Sequence, residues 1–359
     1  MRDYEKNYPL VSTKVEGLGK KFDLSDKADR ADYFQQKVGA EIAKLREFMS
    51  NNVFVGFWLG KKNSGKGTYS KLMAEIFGED KIGHISVGDV VRAAHADMED
   101  EVKKAEIVDY LKKNYRGYIS VEQALDALLG RDTKTLLPTE FIMALVKRQV
   151  ESMPHKTLFL DGFPREIDQV SYSLFFRKLI GYDKDQDLFI CIDIPEAVID
   201  ERMKYRVVCP KCKTPRNLKL LATKFVGYDK ETGKFKMMCD NPECEKAVMV
   251  SKEGDELGIE TIRERLNLDQ SLIEKVMSIY GVPKILLRNA VPADRTTELT
   301  DDYEVTPEYV FKYNEATDQV DVSEKPWSIK DDFGIESNSL LSPPVVVSLI
   351  RQLAKVLGL

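Results

Sequence analysis

The segment Gly60-Lys61-Lys62-Asn63-Ser64-Gly65-Lys66-Gly67-Thr68 constrains the fold more than any other stretch of the chain. It follows the apolar run 53–59, which reads as a buried strand, and precedes a helix-forming segment over 70–76. Strand, Gly- and Lys-containing loop and helix, in that order, are the parts of a phosphate-binding loop. Glycines let consecutive backbone N–H groups turn toward an anion, and the helix N-terminus adds positive potential. Lys66 supplies a point charge for β- and γ-phosphates. One position departs from the common form: Gly67 stands where a Ser or Thr usually holds Mg²⁺, and Thr68 comes one residue later. The expected ligand is a nucleoside triphosphate.

With 359 residues the chain is long enough for two or three domains, or for one domain with large insertions. Its formal charge of −5 argues against a general electrostatic nucleic-acid binder. No apolar run approaches the roughly eighteen residues that span a bilayer. Residues 1–6 are polar, with no secretory apolar segment behind them. These features predict a soluble, cytoplasmic protein.

Ala31, Phe34, Val38, Ile42, Leu45 and Phe48 recur at three- and four-residue steps, so 26–49 is expected to be an amphipathic helix that Asn51-Asn52 ends. Further strands are expected at 82–86, 157–161, 188–194 and 284–288, with helical stretches such as 140–151 and 168–179 between them. Short apolar strands alternating with helices imply an α/β fold with a parallel sheet covered on both faces. Ligands of such sheets bind at the carboxyl ends of the strands. In the tail, 309–313 and 320–322 alternate around 315–318 and predict a hairpin. Ser342-Pro343-Pro344 reads as an N-cap with Pro in the first turn of a last helix bearing Val345, Leu349, Leu353 and Val356 on one face.

Two further motifs sit at strand ends. Ser86-Val87-Gly88-Asp89-Val90-Val91-Arg92 closes the second strand, and Phe159-Leu160-Asp161-Gly162-Phe163-Pro164-Arg165 closes the third, with Gln169 one helical turn on. Asp161, in the same sheet as the phosphate loop, is where a Mg²⁺-orienting carboxylate belongs. A structural cap is the alternative role for a buried strand-end Asp. Gly162 and Pro164 require a tight turn there.

Five cysteines, four of them in paired spacing, fit a reduced compartment and a metal better than disulfides. Cys209-Pro210-Lys211-Cys212 precedes Cys239 and Cys244 across a polar, strand-prone segment, the pattern of a zinc ribbon with four thiolates. Four protein ligands leave no open position, so the zinc would be structural. Cys191 lies in an apolar strand and reads as a core thiol. His84, His95 and His155 have no partner at ligand or triad spacing and read as structural.

In this order the loop at 60–68, the Ser-Val-Gly-Asp-x-x-Arg motif and the Asp-Gly-Phe-Pro-Arg-x-x-x-Gln motif resemble those of the nucleoside monophosphate kinases, and among them adenylate kinases with a long zinc lid. The resemblance spans roughly 53–280 and implies a P-loop NTPase-type sheet with an inserted acceptor-binding helical segment and a zinc-ribbon lid. The reaction it implies moves the γ-phosphoryl of MgATP to a nucleoside monophosphate, AMP first. Such transfer needs positioning and a cluster of cations rather than a strong base. By the same resemblance, Gly60, Ser64, Gly65, Lys66, Gly67 and Thr68 hold the triphosphate. Arg92 and Arg165 hold the acceptor phosphate, Gln169 reads its base, and Val87, Gly88 and Gly162 line its pocket. Arg202 would stack on the donor adenine, while Arg206 and Arg265 reach the phosphates, with Arg263 the weaker candidate.

The chain departs from that family at several points. Val87 stands where adenylate kinases typically carry Thr and pyrimidine-specific relatives Ala, so the acceptor base stays open. Lys252 precedes a carboxylate pair where the family has Arg, and Lys62-Asn63 replace a frequent Pro-Gly. An added stretch lies around 114–131. The expected division is 1–51, an N-terminal extension; 52–86, 155–201 and 257–290, the core; 87–154, the acceptor insertion; 202–256, the lid; and 291–359, a C-terminal extension. A monomer that uses ATP and a nucleoside monophosphate, with no nucleic acid and no membrane, is the expected state. A UMP/CMP kinase and a non-catalytic nucleotide-binding zinc-ribbon protein are the other readings.

Overall fold

A computed structural model describes residues 8–131, 137–165, 167 and 169–359. Residues 1–6, and Asp168 at the start of an expected helix, lie outside the described residues. The chain runs through α1 (Lys27–Asn51), β1 (Phe54–Gly60), α2 (Lys66–Phe77), β2 (Ile82–Ser86), α3 (Val87–Asp97), α4 (Glu101–Asn114), α5 (Val121–Leu128), α6 (Thr139–Glu151), β3 (Thr157–Asp161), α7 (Gln169–Leu179), β4 (Gln186–Asp193) and α8 (Glu196–Lys204). It continues through β5 (Arg206–Val208), β6 (Pro215–Asn217), β7 (Phe225–Asp229), β8 (Lys234–Met238), β9 (Val250–Ser251), α9 (Arg263–Met277), β10 (Lys284–Arg288), β11 (Ala290–Pro292), α10 (Thr296–Leu299), β12 (Glu308–Asn314), β13 (Gln319–Lys325), β14 (Ile329–Lys330), β15 (Glu336–Ser339) and α11 (Ser342–Val356).

The five expected strands form one sheet, ordered β10-β4-β1-β3-β2, and every pair is parallel. β1 is buried along its whole length, as the middle strand of a doubly covered sheet must be. Its side chains alternate. Phe54 and Trp58 join one core with α1, α2 and α11, while Val55, Phe57 and Leu59 join the other with α6, α7 and α9. The two chain ends therefore build one layer of the main core. In α11 alone Val345, Leu349, Ile350 and Leu353 have no exposed surface, and truncating one such Leu to Ala costs about 2–5 kcal/mol.

Helix α1 starts where the Asp26 carboxylate accepts the N–H groups of Ala28 and Asp29. A buried polar knot ties it to the tail. Glu304, fully buried, accepts from Thr13 Oγ1 and Tyr33 Oη at 2.5 Å each, and Lys37 Nζ lies 2.6 Å from Asp301. At the other end the expectation for Ser342 is corrected. Leu341 is the N-cap and Ser342 the first helical residue, with no side-chain cap bond. Proline near the first turn starts this helix without one, because it lacks an N–H and presets φ.

Helices α3 to α6 stand beside the sheet with a core of their own, including Ile107, Leu111, Leu125, Phe141 and Leu145. The added stretch contains α5, which opens on a reciprocal Ser120–Gln123 capping box. After α8 come the small sheet β6-β5-β9 and the hairpin β7–β8, around the cysteines and a core of Val207, Met237 and Met249. The tail adds a sheet β11-β15-β14 and the expected hairpin, β12–β13. Among the described residues no helix is long and apolar enough to cross a membrane.

Candidate active site

The loop after β1 turns on two glycines. Gly65 sits at φ 105°, a conformation that excludes most side chains, and a Cβ on Gly60 would come within 2.7 Å of Ser64 Oγ. Gly67 differs: a Cβ there meets nothing within 4 Å. Lys66 opens α2, and its ammonium folds back onto the loop, donating to the carbonyls of Gly60 (2.8 Å) and Lys61 (3.2 Å). It lies 3.8 Å from Asp161 Oδ1, at the end of β3. Asn63 Nδ2 and Ser64 Oγ are buried atoms with no hydrogen-bond partner. Orphaned polar atoms beside a helix N-terminus and a lysine suit an anionic ligand.

Three arginines converge on this loop, each held by a partner. Arg206 forks onto Asp255 at 2.6 and 2.7 Å and reaches Asn63 Oδ1 at 3.3 Å. Arg265 pairs with Asp269 at 2.7 Å, and the other Asp269 oxygen accepts the Lys62 N–H at 2.9 Å. Burial pushes the Asp269 carboxyl up, with Arg265 and Lys66 pulling against it. Arg202 donates to Asn63 O and Asn289 Oδ1, each at 3.3 Å, and burial draws its guanidinium down. Partial desolvation, then Lys252, Arg206 and Arg265, lower the Lys62 ammonium against the opposing pull of Asp255. Cations that raise one another's energy form a site for polyanions. Arg263 is engaged elsewhere, with Glu196 and Glu260 at 2.5 and 2.6 Å.

The second group is looser. Val87 is buried and faces Gly162, where an added Cβ would lie 3.5 Å from the valine Cβ. Gly88 lies against the Arg92 guanidinium. Gln169 is buried, accepts the Arg165 N–H at 2.8 Å and donates to Thr139 Oγ1 at 3.0 Å. The guanidinium of Arg92 is exposed and pairs with Asp89 on its own helix, and Arg165 is exposed. Thr68 is exposed at the start of α2.

In the cysteine module the four sulfurs of Cys209, Cys212, Cys239 and Cys244 lie within 4.8 Å of one another. A tetrahedral zinc with Zn–S bonds of about 2.3 Å sets its sulfurs about 3.8 Å apart. The Cys212 and Cys239 sulfurs are 3.6 Å apart. The Thr214 hydroxyl holds the Cys212 thiol down at about 6, whereas burial pushes Cys244 up to about 12. The donor set fits a thiophilic cation. Cys191 is fully buried and pushed up to about 12 by burial, as a core thiol should be.

No protein-family model matches the chain. Among curated proteins, the adenylate kinase of Thermotoga petrophila is 31% identical over 232 residues, which cover 64% of this chain and 87% of the relative. The chain belongs to the adenylate kinase family. The adenylate kinases of Kosmotoga olearia (28% over 255 residues, 71% of this chain and 95% of the relative) and Staphylococcus epidermidis (29% over 248 residues, 68% and 94%) agree. As a member of the adenylate kinase family the chain is an enzyme, a nucleoside monophosphate kinase that uses ATP and a nucleoside monophosphate.

Sequence reasoning missed the residues that hold these cations. Asp269 is one helical turn after Arg265, a spacing that signals an ion pair. Asp255 belongs to the carboxylate pair noted after Lys252. Asn289, fully buried and bonded to Arg202, Ser339 and Tyr69, carries no local signal.

Proposed function

We propose that the enzyme transfers the γ-phosphoryl of MgATP to AMP, giving two ADP. The observation that carries the reading is the loop itself. Lys66, Arg206 and Arg265 converge on it, and two buried polar atoms there, Asn63 Nδ2 and Ser64 Oγ, lack partners. In the reaction an oxygen of the acceptor α-phosphate bonds to Pγ as the bond from Pγ to the β,γ-bridging oxygen breaks, and ADP leaves. The attacking oxygen is already ionised, so no proton need move. The loop over 60–68 would orient the triphosphate. Lys66, Arg206 and Arg265 would neutralise charge spreading over the transferring group, and Arg202 would lie on the donor adenine. Arg92 and Arg165 would fork onto the acceptor phosphate, with Gln169, Val87, Gly88 and Gly162 around its base. Mg²⁺ bound with ATP would supply positive charge to the transferring phosphoryl group, and Asp161, 3.8 Å from Lys66 Nζ, would orient it.

In this reading 87–154 carries the acceptor, and 202–256 is a lid stapled by Zn²⁺ on Cys209, Cys212, Cys239 and Cys244. Closing the lid excludes water that would hydrolyse ATP. The enzyme is taken to be a cytoplasmic monomer. AMP is preferred because the relatives named above are adenylate kinases. Val87, apolar where adenylate kinases typically carry Thr and pyrimidine-specific relatives Ala, makes CMP or UMP the second reading. Initial rates with MgATP and each of AMP, CMP, UMP and GMP test the reading. Fastest ADP formation with AMP supports it. Preference for CMP or UMP transfers the chain to the pyrimidine branch, and no turnover despite ATP binding overturns it.

A further inference from the structure

The tail beyond β10 touches two things at once. Its first set of contacts is with the donor side of the core. Asp332 Oδ2 lies 3.1 Å from Lys61 Nζ in the phosphate loop, and Asp332 Oδ1 accepts the Glu196 N–H that opens α8 at 2.9 Å. Lys61 is nearly fully buried and also pairs with Glu196 at 3.2 Å. Asp331 pairs with Arg288 at 2.8 Å, and Ser339 donates at 2.8 Å to the Asn289 oxygen that receives Arg202.

Its second set is with the cysteine module. Hairpin β12–β13 lies against β7–β8. Tyr313 stacks on Tyr228 with ring centroids 4.4 Å apart and planes 17° apart, and Phe311 meets Phe235 at 5.6 Å. Lys230 pairs with Asp318 at 2.8 Å and lies over the Tyr313 ring at 5.5 Å. Tyr309 N–H donates to Lys219 O at 2.7 Å. Alternation explains the pattern: Tyr309, Phe311 and Tyr313 share the half-buried face of β12, while Val310 and Lys312 are exposed.

We propose that residues 308–339 form a bracket from the phosphate loop to the zinc-ribbon lid, with Tyr313 and Asp332 as positioning residues for the donor nucleotide. The proposal rests on the assignment of 202–256 as a lid. A free lid spends its time in many orientations, and only some present Arg206 to the loop. Stacked on a hairpin that is itself anchored at Lys61, Arg288 and Asn289, the lid keeps that orientation before ATP arrives. Neither residue touches a reacting atom.

Three variants test this: Phe311→Ala/Tyr313→Ala, Tyr313→Phe and Asp332→Ala. For each, hydrogen exchange of the β7–β8 amides is measured without nucleotide, and KM is measured separately for ATP and for the monophosphate. In the double variant, lid exchange and KM for ATP should rise roughly two- to tenfold for each stack lost, with KM for the monophosphate unchanged. Asp332→Ala should raise KM for ATP in the same selective way. Tyr313→Phe, which keeps the ring, should behave as the parent. Unchanged lid exchange and unchanged KM for ATP overturn the bracket, and so do two KM values rising together with a lowered melting temperature. If the parent turns over no monophosphate, the functional reading fails. Lid exchange, which needs no turnover, then decides the bracket by itself.

Discussion

The two sides of the site, proposed to hold donor and acceptor, are built differently. On the proposed donor side four cations already have partners of fixed geometry: Lys66 with loop carbonyls and Asp161, Arg206 with Asp255, Arg265 with Asp269, Lys61 with Glu196 and Asp332. On the acceptor side Arg92 and Arg165 are exposed, and the partner of Arg92, Asp89, is itself exposed and three residues away. A buried carboxylate holds an arginine in place before the ligand comes, so the ordering cost is met during folding. An exposed arginine meets that cost on binding. In the proposed reading, donor affinity would thus be written into the core, and acceptor affinity into the ordering of the helical insertion.

The largest test of the contrast is Lys66→Ala. It should lower kcat roughly 100- to 1000-fold while circular dichroism and melting temperature stay near those of the parent. Collapse of the fold would assign Lys66 to structure and remove the donor side from the comparison. Next is Arg92→Ala. Losing a charge-assisted phosphate contact should raise KM for AMP about 10- to 100-fold and leave KM for ATP unchanged. Equal rises for both nucleotides would erase the distinction between the halves.

Metal removal sharpens the contrast further. With zinc on the four thiolates as proposed, stripping it with chelator, or Cys239→Ser, should lower the melting temperature by several degrees, since the module has little other core. KM for ATP should rise more than KM for AMP, because Asp255 follows directly on the module. An unchanged melting curve after confirmed metal loss would remove the staple.

The smallest effect concerns pH. Burial works to raise the Glu196 carboxyl, but Lys61 and Arg263 hold it below the usual range. A carboxyl depressed in the folded state stabilises the protein above its unfolded pKa, about 4.3. That contribution is lost as pH falls through the lower folded value. Glu196→Gln should flatten this acid limb in denaturant titrations, and an unaltered limb would show that Lys61 is held by Asp332 alone.

What was legible in the sequence was local. Apolar runs gave the sheet strands, the 309–313 and 320–322 alternation gave the hairpin, and three- and four-residue spacing gave α1 and α11. The cysteine spacing sufficed to bring four sulfurs together. The error at Ser342 was one residue, because a serine before two prolines fits both the cap and the first turn. The unread part was tertiary. Glu304 gathers Thr13 and Tyr33 from 291 and 271 residues away, and Asn289 acquires meaning only once Arg202 and Ser339 fold onto it. No periodicity encodes such pairs. They are also why the two extensions, read as additions to a kinase core, prove to be one of its layers.

The most direct test of the contrast is hydrogen exchange across the whole protein, alone and with a saturating non-hydrolysable ATP analogue or AMP. Without nucleotide the Lys62 and Ser64 amides, bonded to Asp269 and to Lys61 O, should already be protected and change little with the ATP analogue. Helices α3 to α6 should gain protection with AMP. A loop that exchanges freely until the ATP analogue binds, beside an insertion that AMP leaves unchanged, would contradict a pre-formed donor side and an acceptor side ordered by its ligand.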